Sequence, residues 1–450
     1  MTRSERRFLL TPLCALLAAG SAYATNGMLM EGYGPISSSM GGVTQAIDHG
    51  NAAMSQNPAT LGMMADGTAR LDVAIGILGP DVASSFPAMG VTANSGGTSY
   101  LMPAVGYVKR SGAYTYGIGM FAQGGMGTEY DATTFMSAPG GVSSGIPSRS
   151  ELGVGNVIFP VAFQVSPNLT IGATLKYMWS SLDMKMTATS AQLGGMMQAS
   201  GVSPTGAFAS PQLQTVMGAA KWANISFSDD NAFTGAAKST GYGASIGATY
   251  RANNDVMFGG SYLFKSALDD MKTSPTAASL SLDGGGPAMN GQITIFNFQM
   301  PSVLALGASW QASPSLMVAA DVKYIGWSDS MRSFKMRFDN AFGSANFTMQ
   351  QDWKDQTVLN LGLAWKANEA LTVRAGLNLA DNPIPDTYVN PLFPATVKNH
   401  VMFGVGYKVS PVGEFNMSLT KAPKVTVTTP QGIDISHAQT NIQFMYSHSF

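Results

Sequence analysis

The chain has 450 residues, is 45% hydrophobic and only 11% charged, and carries a formal net charge of −1, where soluble domains average roughly 25% charged. A nearly neutral chain lacks the basic surface that nucleic-acid binding needs. The only cysteine, Cys14, lies in the N-terminal leader, so the mature protein has neither disulfides nor thiol chemistry, and Cys-based catalysis and Cys metal sites are excluded.

The first 24 residues combine Arg3, Arg6 and Arg7, an apolar run from Phe8 to Ala19, and Ala22-Tyr23-Ala24 ahead of Thr25. This is a secretory signal peptide, not part of the fold. No later stretch reaches the ~18 uninterrupted apolar residues of a membrane helix. A membrane protein without such helices must close its backbone hydrogen bonds in a barrel. Residues 25–66 lack period-2 alternation, and Thr44-Gln45-Ala46-Ile47-Asp48 and Asn57-Pro58-Ala59 read as short helices and turns. Its many apolar residues, Met40, Val43, Ile47, Met54 and Leu61 among them, favour a hatch folded into a lumen over a segment hanging free.

The first convincing strand carries Ala69, Leu71, Val73, Ile75 and Ile77 on one face. Between residues 108 and 414 six short polar turns follow, at Lys109-Arg110-Ser111-Gly112, Ser166-Pro167-Asn168, Arg251 to Asp255, Ala312-Ser313-Pro314-Ser315, Lys366-Ala367-Asn368-Glu369 and Ser410-Pro411-Val412-Gly413. Such residues break strands. The segments between them alternate: Leu371, Val373, Ala375, Leu377 and Leu379 would face lipid, and Thr372, Arg374, Gly376 and Asn378 the lumen. Short turns face the periplasm in outer-membrane barrels. With both termini there, six turns imply fourteen strands, so the fold expected over 67–450 is an all-β transmembrane barrel of 14 antiparallel strands with an N-terminal hatch plugging the lumen. The chain ends in an alternating strand with Phe450 last, which is typical of barrels inserted by the outer-membrane assembly machinery. A soluble β-sandwich would alternate too, but has little need of a signal peptide, a terminal Phe and long loops together.

Several motifs stand in a definite order. They are Asn57-Pro58-Ala59, Pro80-Asp81-Val82, Pro103-Ala104-Val105-Gly106-Tyr107, Gly124-Gly125-Met126-Gly127-Thr128-Glu129-Tyr130, Trp327-Ser328, Arg374-Ala375-Gly376 and Pro383-Ile384-Pro385-Asp386. In this order the mature chain resembles the long-chain fatty-acid transporter (FadL and TodX) family of outer-membrane proteins. The resemblance implies a monomeric fourteen-stranded barrel with a hatch, which passes hydrophobic molecules through a lateral opening beside an inward kink in the third strand. It implies no cofactor and no energy input. The partners it implies are hydrophobic small molecules, outer-membrane lipid and lipopolysaccharide, and the barrel assembly machinery.

A carrier of hydrophobic ligands needs an apolar landing surface and an apolar pocket behind it. The connection from about Leu182 to Gly241 is far longer than an ordinary loop. Ser210-Pro211 reads there as a helix start, with Leu213, Val216, Met217 and Ala220 at helical spacing. Met196, Met197, Leu213, Met217 and Trp222 are the candidate ligand contacts, although packing over the barrel mouth would use the same residues. Gly119, Gly124, Gly125 and Gly127 mark a strand kink or serve barrel closure. By the resemblance the kink lies opposite Asn57, Pro58 and Ala59, the hatch residues that would gate it. Lys176, Asp321, Lys323 and Arg374 fall on the inward face. The cations could pair with a fatty-acid carboxylate, with each other or with the hatch, and the resemblance makes Arg374 a tie between wall and hatch.

Gly243-Ala244-Ser245-Ile246-Gly247 fits a nucleophile-elbow pattern but lies in an alternating strand with no helix after it. His49, His400, His437 and His448 lack metal-ligand spacing. No enzyme is expected. The favoured function is passive uptake of long-chain fatty acids or similar hydrophobic molecules. An aromatic-hydrocarbon channel of the same family is the first alternative, a general porin the second, and an outer-membrane enzyme or adhesin the third.

Overall fold

The computed structural model describes residues 26–231, 234–284 and 286–450. The signal peptide expected over residues 1–24 lies outside the described residues.

Each of the six polar turns joins two antiparallel strands. The hairpins are β3 (Tyr100–Ser111) with β4 (Tyr114–Tyr130), β5 (Ser148–Ser166) with β6 (Leu169–Thr189), and β8 (Ala237–Arg251) with β9 (Val256–Leu263). They continue with β14 (Val303–Ser313) and β15 (Leu316–Ile325), β18 (Gln356–Lys366) and β19 (Leu371–Ala380), and β20 (His400–Lys408) and β21 (Gly413–Thr428). The first strand, β1 (Ala69–Phe86), pairs with the last, β22 (Asp434–Ser449), from Arg70↔Ser449 to Ser85↔Asp434. Phe450 and Ala69 exchange both backbone hydrogen bonds, which completes the closure.

The strand count differs from the expected fourteen. Among the described residues the closed hydrogen-bonded circuit runs through eighteen strands. Between β6 and β8 it passes through β7 (Trp222–Phe227), β12 (Ala278–Leu282), β13 (Met289–Phe296) and β11 (Met271–Lys272). Nearer the turns β6 and β8 also pair directly, from Leu169↔Tyr250 to Leu182↔Ala237. Counting the short turns misses strands added at the opposite rim of the barrel, because those are joined by the longer connections. The stretch read as a loop from Leu182 to Gly241 is correspondingly shorter. β6 runs on to Thr189, and β7 and the start of β8 take up part of the rest. Short strands β2 (Val91–Asn94) and β10 (Ala267–Leu268), and the hairpin β16 (Ser333–Asn340) with β17 (Gly343–Gln350), extend the outer part of the sheet.

Side chains alternate across the wall. On β18 Asn360, Gly362 and Ala364 are buried, whereas Leu359, Leu363 and Trp365 are exposed. On β21 Asn416, Ser418 and Thr420 are buried, and Phe415, Met417 and Leu419 are exposed. So continuous an apolar outer face would be untenable in water and matches lipid contact. No helix among the described residues is long and apolar enough to cross a membrane.

Ahead of β1, residues 26–66 form α1 (Gly34–Ser39) and two short 3₁₀ turns, Asn51–Ser55 and Pro58–Met63. From Ser37 to Leu61 only Asp48 is exposed. The segment's polar groups bond to buried wall positions on many strands. Asn51 Nδ2 donates to Gly106 O (2.7 Å), Ser309 Oγ to Ala46 O (2.7 Å), Asn360 Nδ2 to Gly42 O (2.8 Å) and Gln443 Nε2 to Ser38 Oγ (3.0 Å). The Asp321 carboxylate accepts from Thr44 N at 2.6 Å and Gln45 N at 3.2 Å. Small wall residues make room for this approach: a Cβ on Gly376 would sit 2.0 Å from the backbone nitrogen of Gly41.

Candidate functional site: a window in the wall and the cavity behind it

β3 and β4 are paired only from Ser111↔Tyr114 to Val105↔Met120. Beyond that point they part. Tyr100 to Ala104 keep β1 as their neighbour, and Phe121 to Tyr130 keep β5. Further out the seam is tied again, where Gly96 N donates to Glu129 O at 2.7 Å and Glu129 N to Ser95 Oγ at 3.0 Å. The result is a window in the wall, bounded by hydrogen bonds above and below.

A bulge in β4 creates it. Its register against β5 shifts between Ala122 and Gly124, leaving Gln123 as the extra residue. The bulge is held from within by residues 29–33. Tyr33 donates its hydroxyl to Gln123 O, Leu29 bridges Gly124, and Asn156 Nδ2 donates to Gln123 Oε1 at 3.0 Å. Glycine is required at 124 by proximity, since a Cβ would lie 2.2 Å from Met28 O. Gly125 and Gly127 sit close to the β5 backbone along the same rim. Gly119 lies below the window, where its ladder to β3 and β5 is intact, and packs on Met54.

Behind the window is a cavity of about 330 Å³. It is lined by residues of both faces of the wall: Leu101 with Met102, Leu152 with Gly153, and Val154 with Gly155. A space bordered by consecutive, oppositely directed strand residues runs through the wall rather than along it. On the outer side Trp179 lies across Gly155, where an added Cβ would come within 2.3 Å of the indole. On the inner side Pro394, Ala395 and Val397, from the connection between β19 and β20, close the space. The ionisable groups on its border are Tyr100, Glu151 and His437; no lysine or arginine is among the lining residues. Glu151 is engaged by Arg149 at 2.6 Å.

The candidate ligand contacts fall in two separate places. Met196 and Met197 lie on α2 (Ser190–Ala199), and Leu213 and Met217 on α3 (Pro211–Ala219), whose N-cap Ser210 accepts from Leu213 N at 3.3 Å. The two helices flank an open groove lined by Met197, Val202, Pro204 and Met217. Their other faces pack, with Leu193 and Phe208, onto the buried apolar cluster of the outer strands. Trp222 begins β7 and does not line the groove. Neither helix lines the wall cavity.

The inward cations are occupied. Lys176 Nζ donates to Ser55 O at 3.2 Å, and Lys323 Nζ to Glu31 O and Gly42 O at 3.2 and 2.9 Å. Arg374 does not tie the wall to the N-terminal segment. It donates to Asn416 Oδ1 at 2.8 Å and lies 3.8 Å from Glu414, both on β21. Asn57, Pro58 and Ala59 do not face the β4 bulge either. They pack on β6 and β8: Asn57 Nδ2 donates to Ala248 O (3.2 Å), and a Cβ on Gly172 would meet Ala59 N at 2.6 Å. The residues that do reach the bulge, Leu29 and Tyr33, carry no motif signal. Trp179, His437 and the 394–397 segment escaped sequence reading because partners from three distant stretches define them.

Closed circuit, lipid-compatible exterior and side window define an outer-membrane barrel channel. Residues 15–449 match the family described as "Outer membrane protein transport protein (OMPP1/FadL/TodX)", and the chain belongs to it. The toluene transporter TodX of Pseudomonas putida is 31% identical over 93% of this chain and 99% of its own, with a TM-score of 0.84. The toluene transporter TbuX of Ralstonia pickettii is 28% identical over 93% and 99%, with a TM-score of 0.78. A Pseudomonas aeruginosa FadL homologue, 14% identical over 94% and 99% with a TM-score of 0.69, shares the fold. A curated relative from Chlorobium limicola, described as an uncharacterized protein in the phosphoenolpyruvate carboxykinase gene 5' region, is 49% identical over 71 residues; the match spans 16% of this chain and 35% of that protein's length.

Proposed function

We propose that this chain carries small neutral hydrophobic molecules of the monoaromatic hydrocarbon class across the outer membrane and releases them sideways through the wall. The observation that carries this reading is the cavity between β3 and β4, which crosses the wall and has no cation on its border. A dry cavity of roughly 150 Å³ accepts benzene, so about 330 Å³ accommodates a substituted ring. The two toluene transporters among its relatives support the same class.

Long-chain fatty acids, the function favoured from the sequence, fit less well. A buried carboxylate needs a charged or multiply donating partner, and this cavity offers Glu151 instead. Lys176 and Lys323 already serve the carbonyls of residues 31–55.

Transport would start in the groove between α2 and α3, proceed to the cavity, and end in the acyl layer of the outer leaflet. No cofactor or energy input is required, because the guest moves down its own gradient. Residues 26–66 act as the hatch: through Tyr33 and Leu29 they hold the bulge on which the window depends. Export by the signal peptide, insertion by the barrel assembly machinery, and a surround of lipopolysaccharide belong to the same reading.

The test is uptake of radiolabelled toluene and oleate by a transporter-deficient Gram-negative host expressing the chain. Toluene entry above the empty host, with oleate at background, supports the proposal. Oleate entry alone returns the assignment to fatty acids, and free entry of small sugars would mean a porin.

A further inference from the structure

On its outer side the cavity ends against a single large side chain. Facing lipid beyond the window, β4 and β5 present Ala122, Gly125, Gly153 and Gly155, paired as Ala122↔Gly155 and Gly125↔Gly153. These four residues make a floor with nothing larger than a methyl group on it. β6 comes next, with Trp179 opposite Gly155 and Ser181 opposite Gly153. The outward side chains of β6 are not alike. Leu175 is 69% exposed, and Tyr177 is 42% exposed with its ring against Tyr242 of β8, 5.9 Å between centroids. Trp179, the next outward residue, turns the other way and is half-buried. Its indole lies over Gly155, where a Cβ would collide with the Nε1, Cε2 and Cζ2 side of the ring, and it borders the cavity.

Strands stand roughly 4.8 Å apart, so the floor from β4 to β6 is about two spacings wide, and an indole lying over β5 takes back about one of them. Glycine at 155 is what lets the indole sit down on the strand. The other lining residues on that side, Ser181 and Thr234, are small, and the opposite side is bounded by Leu101 and Pro103 of β3. We propose that Trp179 is the size-determining residue of the exit, holding the outer half of the cavity to one aromatic ring and retarding guests of two fused rings. This rests on the reading of the cavity as a route for neutral aromatic guests and sharpens it to a limit on guest size. An interfacial tryptophan also anchors a barrel in its membrane, but an anchor makes no distinction between one guest and another.

Toluene and naphthalene separate the two roles. Initial uptake of each radiolabelled guest, corrected for the empty host, is measured in a transporter-deficient Gram-negative host expressing the natural chain, Trp179→Ala or Leu175→Ala. The naphthalene-to-toluene ratio is expected to rise about tenfold in Trp179→Ala, the low end of the size discrimination that an apolar pocket provides. It is expected to stay unchanged in Leu175→Ala, which trims the lipid face of the same strand at a residue that does not line the cavity. Trp179→Leu, also without the ring, carries the same expectation if the Ala variant does not assemble, as judged by heat-modifiable mobility on gels. An unchanged ratio in either folded Trp179 variant, or an equal rise in Leu175→Ala, overturns the assignment of Trp179 and leaves the route itself standing. Toluene entry no faster with the natural chain than in the empty host overturns the aromatic reading of the cavity, and this inference with it.

Discussion

The wall has two unlike arcs. From β18 round to β1 every seam stays paired to its outer end: β1 and β22 pair from Arg70↔Ser449 to Ser85↔Asp434, β18 and β19 from Lys366↔Thr372 to Val358↔Ala380, and β21 and β22 resume pairing at Val425↔His437 after a bulge beyond Ala422. From β3 to β6 one seam fails, because β3 and β4 stop pairing at Val105↔Met120 although β4, at 17 residues, is a long strand. What separates the arcs is therefore not weak strand propensity. It is one extra residue, Gln123, pulled inward by Tyr33 and Leu29, so that β4 turns from its neighbour while keeping β5. The side of the barrel opens where an internal segment replaces the missing strand partner, which is what the proposed sideways release of an apolar guest needs.

The comparison can be broken at the bulge. Gly124→Val places a branched side chain against Met28 O and should abolish the bend or expel residues 28–29; toluene uptake is expected to drop tenfold or more. Retained heat-modifiable mobility on gels would separate this from misfolding. Next in size is a block that leaves the bend alone. Gly153 borders the cavity, and a Cβ there meets nothing nearer than Ser181 Oγ at 3.8 Å. Gly153→Phe should fill the window and reduce uptake by roughly tenfold, with thermal stability little altered.

A smaller effect is expected where the internal segment is anchored far from the bulge. Asp321→Ala leaves the amides of Thr44 and Gln45 without their acceptor, worth about 1–3 kcal/mol of local stability. Limited proteolysis and hydrogen exchange over residues 40–50 should accelerate accordingly, with uptake changed less than for Gly124→Val. The smallest effect belongs to the arc from β18 to β1. Leu419→Ala, on the exposed face of β21, should change toluene uptake by less than about twofold, since it touches neither ladder nor window.

Much of the wall was legible because strand alternation is a local signal. Leu371 to Leu379 and Asn360 to Trp365 declare their faces in sequence, and turns such as Ser166-Pro167-Asn168 declare the hairpins. The α3 start at Ser210-Pro211 was equally local. Alternation says which way a side chain points, not what meets it there. Lys323 reads as an inward cation awaiting a carboxylate, yet backbone carbonyls from nearly 300 residues earlier accept its hydrogen bonds. Asn57-Pro58-Ala59 stands out as a motif, but its partners on β6 and β8 emerge only once the chain is closed. The same limit hid the strands between β6 and β8 and left Met196, Met197, Leu213 and Met217 on helices that do not line the cavity.

Lateral exit is tested most directly by locating the guest. A toluene-shaped aryl diazirine, photolysed in outer membranes carrying the natural chain, would mark its path by mass spectrometry. The account predicts labels at Leu101 to Pro103, Met120 to Met126, Leu152 to Gly155 and Trp179. Labels running instead through the small polar space lined by Gln45, Ser55, Lys176 and Ala305 would place the path along the lumen and contradict release through the wall.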